Sequence, residues 1–99
     1  MIFYVYKDLS ATITSGSWSD NIIKTNGIAR QIYIESDSAG TVYDFKMVDS
    51  DNLVMLERTG ITNILNELIE MPLKGVYTLQ IENSTVDEDF KIKIVICER

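Results

Sequence analysis

Three observations on this sequence predict an all-β fold. Its apolar content is dominated by β-branched residues: fourteen Ile and seven Val, joined by eight Thr, stand against three Ala. Such side chains lose rotamer freedom in a helix and pack well on a pleated surface, whereas Ala is the strongest helix former. Apolar and polar residues also alternate strictly in two places. In 41–48, Tyr43, Phe45 and Met47 share one face with Asp44 and Lys46 opposite; in 90–96, Phe90, Ile92, Ile94 and Ile96 share a face while Lys91 and Lys93 point away. Turn signals then recur every 8–12 residues or so, with β-type runs between them. At 99 residues the chain makes one domain, 1–99, able to bury one thin core.

Taken in order, residues 2–7 and 9–14 read as two strands flanking Asp8. The polar stretch SGSWSDN, 15–21, turns the chain and carries the single Trp, Trp18. Residues 21–25 form a short strand ending at Asn26-Gly27, the strongest short hairpin signal present, with Gly27 expected to supply the positive φ of a type I′ turn. Strands follow at 28–36, 41–48 and 53–58, separated by DSAG at 37–40 and DSDN at 49–52, and Thr59-Gly60 closes the third. Late in the chain 76–82 places Tyr77, Leu79 and Ile81 inward, and the loop NSTVDED separates it from 90–96. The sum is about eight strands in a single antiparallel β-sandwich, Ig-like or jelly-roll. One segment resists. In 61–71 the apolar residues at 61, 64, 65, 68 and 69 have helical spacing, with Thr59 as a cap and Pro72 as a stop. With period two, Leu65, Ile69, Met71 and Leu73 share a face interrupted by Glu67. The pattern leaves open a short helix near 61–70 or an irregular edge strand.

Composition narrows the chemistry. Without His there is no Ser-His or Cys-His nucleophile pair and no imidazole base, and a lone Cys97 forms neither an intrachain disulfide nor a CxxC site. Fifteen acids make a carboxylate pair easy to imagine, but no spacing singles one out, so neither enzyme activity nor a cofactor is expected. A charge of -6 lacks the basic footprint of a nucleic-acid binder, and no apolar run approaches the ~18–20 residues of a membrane-spanning helix. The opening MIFYVYKDLS has neither a basic n-region nor a long apolar stretch, so no signal peptide is expected; the Asn83–Thr85 sequon would then go unused.

The acidic turns offer oxygen ligands of the kind calcium takes: Asp44, Asp49 and Asp51, and in the later loop Asp87, Glu88 and Asp89. DSDN resembles the start of an EF-hand loop but lacks its later Gly and Glu. Acidic residues also initiate turns and keep loop tips solvated, and this reading is preferred, so no metal is expected. Aromatic residues suit interfaces, which points to Ile2, Phe3, Tyr4, Val5 and Tyr6 on a terminal strand, then to Trp18 and Tyr33.

From residue 41 onward, TVYDFKMVDSDN, then TG, then PLKGVYTLQIENSTVDEDFKIKIVICE resemble the small β-sandwich virion accessory proteins of tailed bacteriophages. The step P-x-x-G-x-Y-T, carried by Pro72, Gly75, Tyr77 and Thr78, bears the resemblance. Its physical sense is that Pro72 blocks ladder pairing, Gly75 permits a corner, and Tyr77 drops into the core with its hydroxyl on a backbone partner. The resemblance implies a capsid decoration (cement) protein, assembled in the host cytoplasm and binding the major capsid protein or another virion protein on the capsid exterior. It also implies a homo-oligomer, with a trimer favoured. Two alternatives stay open: a carbohydrate- or receptor-binding module of a tail fibre, which would present coplanar aromatics around Trp18, and a generic intracellular interaction domain.

Overall fold

In the computed structural model the chain forms six strands: β1 (Phe3–Thr12), β2 (Trp18–Ser36), β3 (Val42–Asp49), β4 (Val54–Thr62), β5 (Ile64–Glu82) and β6 (Asp89–Glu98). The structure describes the backbone of residues 3–98 and the side chains of residues 10–20 and 26–98. All pairings are antiparallel, in the order β1-β6-β2-β5-β3-β4. Six strands nevertheless make a four-on-four sandwich, because β2 and β5 each run 19 residues and serve both layers. One layer holds β1, β6, the second half of β2 and the first half of β5. The other holds the first half of β2, the second half of β5, β3 and β4.

The expectation of about eight strands matches the number of ladder segments by a different division: the first two expected strands are one, and the stretch left open at 61–71 supplies another. Of the runs expected at 2–7 and 9–14, the described residues up to Thr12 form the single strand β1, and those at 21–25 and 28–36 belong to β2. Asn26-Gly27 is not a hairpin: it lies inside β2, opposite Lys74 and Leu73, and Gly27 is absent from the positive-φ glycines. The type I′ turn sits instead at Ser15-Gly16, with φ of 53° and 77° and reciprocal Thr14–Ser17 backbone bonds of 3.1 Å. Among the described residues no helix is present, and 61–71 joins the strands. The period-two reading describes it: Leu65, Ile69 and Met71 pack against the core, with Glu67 between them on the same side. Its helical spacing lost because an extended chain here gains a ladder with β2 from Ile64 to Leu73, broken only by a register shift between Leu68 and Met71.

The core lies between the layers. Ile32, Ile34, Phe90, Ile92, Ile94 and Ile96 on one side meet Tyr43, Phe45, Met47, Tyr77, Leu79 and Ile81 on the other, each at most 5% exposed. Tyr43 and Phe90 touch across the gap edge to face, ring centroids 4.8 Å apart. Asn63, at φ 60°, forms the corner where β4 passes into β5. Its carbonyl accepts from the Tyr43 hydroxyl at 3.1 Å and from the Ser36 amide, and its side-chain oxygen accepts from Ser36 Oγ at 2.9 Å. Those bonds satisfy Ser36, one of the two buried polar residues described.

Candidate interaction surfaces

The strand order leaves several flanks open. Among the described residues β1 pairs only with β6, β4 only with β3, and β5 from 64 to 73 only with β2. Such flanks present unpaired backbone donors and acceptors to any extended segment that approaches. Over β1 the register runs unbroken from Phe3 opposite Glu98 to Thr12 opposite Asp89. The side chains proposed from sequence at Ile2, Phe3, Tyr4, Val5 and Tyr6 lie outside the described residues.

A second surface is the outer face of the β5-β2-β6 layer. Because residues directly opposite in antiparallel strands share a face, the registers define a three-by-three array. Its first row is Ile64, Glu35 and Lys91; the second is Asn66, Tyr33 and Lys93; the third is Leu68, Gln31 and Val95. Tyr33, one of the sequence candidates, stands at the centre, half-buried, and its hydroxyl donates to Glu35 at 3.1 Å. Desolvation on the sheet, then the Glu35 hydrogen bond and charge, push the phenol above its ordinary value, so it stays a donor. Gln31 donates to Asn66 at 2.8 Å across the neighbouring strands. Leu68 is 83% exposed, and Lys91 and Lys93 make no ion pair among the described residues. By contrast Arg30, Lys46 and Arg58 are paired with Glu70, Glu82 and Glu67. The sequence marked Tyr33 and the two lysines; Leu68, Ile64 and Gln31 escaped it because only the register brings them beside Tyr33.

Trp18 begins β2 opposite Ile81, half-buried and packed against the core. No aromatic residue is among the exposed large apolar side chains of the described residues, so the coplanar platform that the carbohydrate reading requires is not formed there. Pro72 lies within β5 opposite Ile28 rather than interrupting the ladder. A proline is tolerated on a strand with one open flank, which β5 has at that point. Gly75 takes φ 98°; two residues on, the Tyr77 hydroxyl receives the Lys74 amide at 2.8 Å and donates to its carbonyl at 3.3 Å. Thr78 follows opposite Val48, half-buried.

The acidic residues do more than solvate loop tips. Asp49 Oδ1 accepts from the amides of Asp51 and Leu53, both at 2.9 Å, and shapes the β3–β4 turn. Asp44 accepts from the Gly60 amide and the Asn83 side chain, which hold its carboxyl below the usual range. Asp87 binds the Ser15 and Gly16 amides at 2.9 and 2.8 Å, and Asp89 accepts from Thr12 Oγ1 at 2.8 Å. Glu88 accepts from the Ser38 amide and hydroxyl and from Thr41 Oγ1. Three consecutive acids thus tie three separate segments at one end of the sandwich. Among the described residues no group of three or more acidic, Cys or His side chains is placed to hold a metal ion; Asp44 spends both carboxylate oxygens, and Asp49 its Oδ1, on protein donors.

No protein-family model matches the chain, and no curated protein matches it. Among solved structures it is similar to part of the VP2 subviral particle of infectious bursal disease virus, at 12% identity and TM-score 0.44, covering 100% of this chain and 32% of that one. It is also similar to part of the structure of infectious bursal disease virus Gx strain, at 10% identity and TM-score 0.35, covering 98% and 39%. The chain spans between about a third and two fifths of the chains it matches. Neither likeness bears on what the chain does.

Proposed function

We propose that this chain is a non-enzymatic structural module of a virion, a decoration protein attached to the outside of a capsid lattice. The observation that carries the reading is the open flank of β1, paired with β6 along all ten of its residues and with nothing on its other side among those described. A strand of a capsid subunit laid along that flank would gain a ladder of backbone hydrogen bonds. Many copies on one lattice would then hold far more strongly than one. The virion assignment is further supported by the step at Pro72, Gly75, Tyr77 and Thr78, where Gly75 and Tyr77 form a tyrosine-stapled corner. Quantitative mass spectrometry of purified virions tests the proposal, with labelled antibody locating the chain. Capsid-level copy number on the exterior is the expected result. Absence from the particle, or a handful of copies at a tail, overturns it.

A further inference from the structure

The outer face centred on Tyr33 and the turn between β3 and β4 are complementary, and nothing within one molecule brings them together. The turn belongs to the layer of β3 and β4, the face to the layer of β6. On the turn, Asp51 is exposed, and Leu53, Val54 and Met55 follow at 62%, 50% and 42% exposure. Three consecutive exposed apolar residues at the start of an edge strand are costly for a soluble chain unless something covers them. The turn is also preorganised: Asp49 caps the amides of Asp51 and Leu53, and Asn52 holds φ 65°. A rigid projection forfeits little conformational entropy on docking.

The face supplies what that projection lacks. Lys91 and Lys93, without ion-pair partners among the described residues, offer positive charge to Asp51. Leu68 and Val95 offer apolar ground, and Tyr33 is the rigid aromatic anchor of the kind that dominates interfaces. In a chain of net charge -6, two lysines without ion-pair partners among the described residues stand beside exposed Leu68, outnumbering Glu35 on the same array, and the acidic, aliphatic turn of another copy fits them.

We propose that the β3–β4 turn of one copy, through Asp51 and residues 53–55, docks on the Tyr33, Lys91 and Lys93 face of a second copy. Two different surfaces meet in such a contact, so it is heterologous: repetition closes a ring or continues as an array. It goes beyond the attachment reading above, uses neither β1 nor a capsid, and stands or falls in the purified protein.

Sedimentation velocity over a concentration series tests it with four chains: the unaltered protein, Asp51→Lys, the pair Lys91→Asp with Lys93→Asp, and all three substitutions together. The unaltered protein should self-associate, and each one-sided charge reversal should weaken this by on the order of tenfold or more. The triple variant, with both signs reversed, should regain association. A protein that stays monomeric throughout overturns the contact, as do one-sided variants that associate like the parent or a triple variant as weak as they are. Circular dichroism of each chain separates lost association from lost folding. A monomer leaves the virion copy number untouched, so the two proposals fail independently.

Discussion

The carbonyl oxygen of Cys97 lies in the space that a Cβ on Gly27 would occupy. β2 and β6 meet there through Gly27 opposite Glu98 and Ile28 opposite Cys97, just where β2 passes from one layer to the other. Glycine is required at 27 for lack of volume; its φ lies outside the left-handed region.

Gly27→Ala should therefore destabilise the fold by roughly 1–3 kcal/mol, since backbone must move to admit the methyl group. Gly40→Ala is the control: nothing lies within 4 Å of its Cβ, so the change should stay within about 0.5 kcal/mol. Urea-unfolding midpoints of the two variants decide the matter, and equal midpoints would refute the account.

Removing the Tyr43 hydroxyl should cost about 1 kcal/mol, the usual net worth of one internal hydrogen bond. That hydroxyl donates to the Asn63 carbonyl at 3.1 Å, with the Ile34 carbonyl also at 3.4 Å. Burial drives its ionisation far above the ordinary phenol range. Tyr43→Phe should lower the unfolding midpoint, and in the parent protein an alkaline absorbance titration should leave at least one tyrosine un-ionised until the chain unfolds, a signal that Tyr43→Phe diminishes.

Phe90→Ala empties the position that packs edge-on against Tyr43 at 1% exposure. Truncation of a buried Phe typically costs about 3–5 kcal/mol. Thermal unfolding should register this as the largest loss among the substitutions named in these predictions.

Glu88 makes stability depend on acid. Hydrogen bonds from Ser38 and then Thr41 hold its carboxyl below the ordinary value of 4.5, against a smaller opposing desolvation. A depressed folded-state value means the stabilisation is complete above 4.5 and drains away as pH falls through the lower folded value. Asp44, bonded by Asn83 and Gly60, and Glu67, bonded by Arg58, shift in the same direction and share that acid limb. Stability measured against pH should fall on the acid side, and Glu88→Gln should make that fall shallower while lowering stability at neutral pH. An unchanged acid slope would rule out the Glu88 contribution.

Asp87→Ala should release the Ser15-Gly16 turn from its only side-chain acceptor among the described residues. Hydrogen exchange at those two amides should accelerate while exchange in the core strands stays unchanged.

Much of this architecture was legible in the residues themselves. Alternation in β3 and β6 identified the inward faces, because period-two hydrophobicity has one solution once a strand is assumed. Abundant β-branched residues and scarce Ala carried the all-β class, and the spacing of Gly75 and Tyr77 marked a corner. Local signals failed where two segments decide together. Asn26-Gly27 has the composition of a tight turn, yet Gly27 serves the close approach of Cys97, seventy residues on. Residues 61–71 have helical spacing, yet the waiting ladder of β2 makes them a strand. The acids at 87–89 look like loop-tip charge, yet each binds a segment remote in sequence.

The sequence alone determined the class of fold, the absence of histidine chemistry and the sidedness of the strands, because composition and alternation act through each residue's own backbone and neighbours. The tertiary structure decided which segments merged, where the true turn lay, and which side chains stand together around Tyr33. Those depend on register, and register is set by the packing of both layers at once.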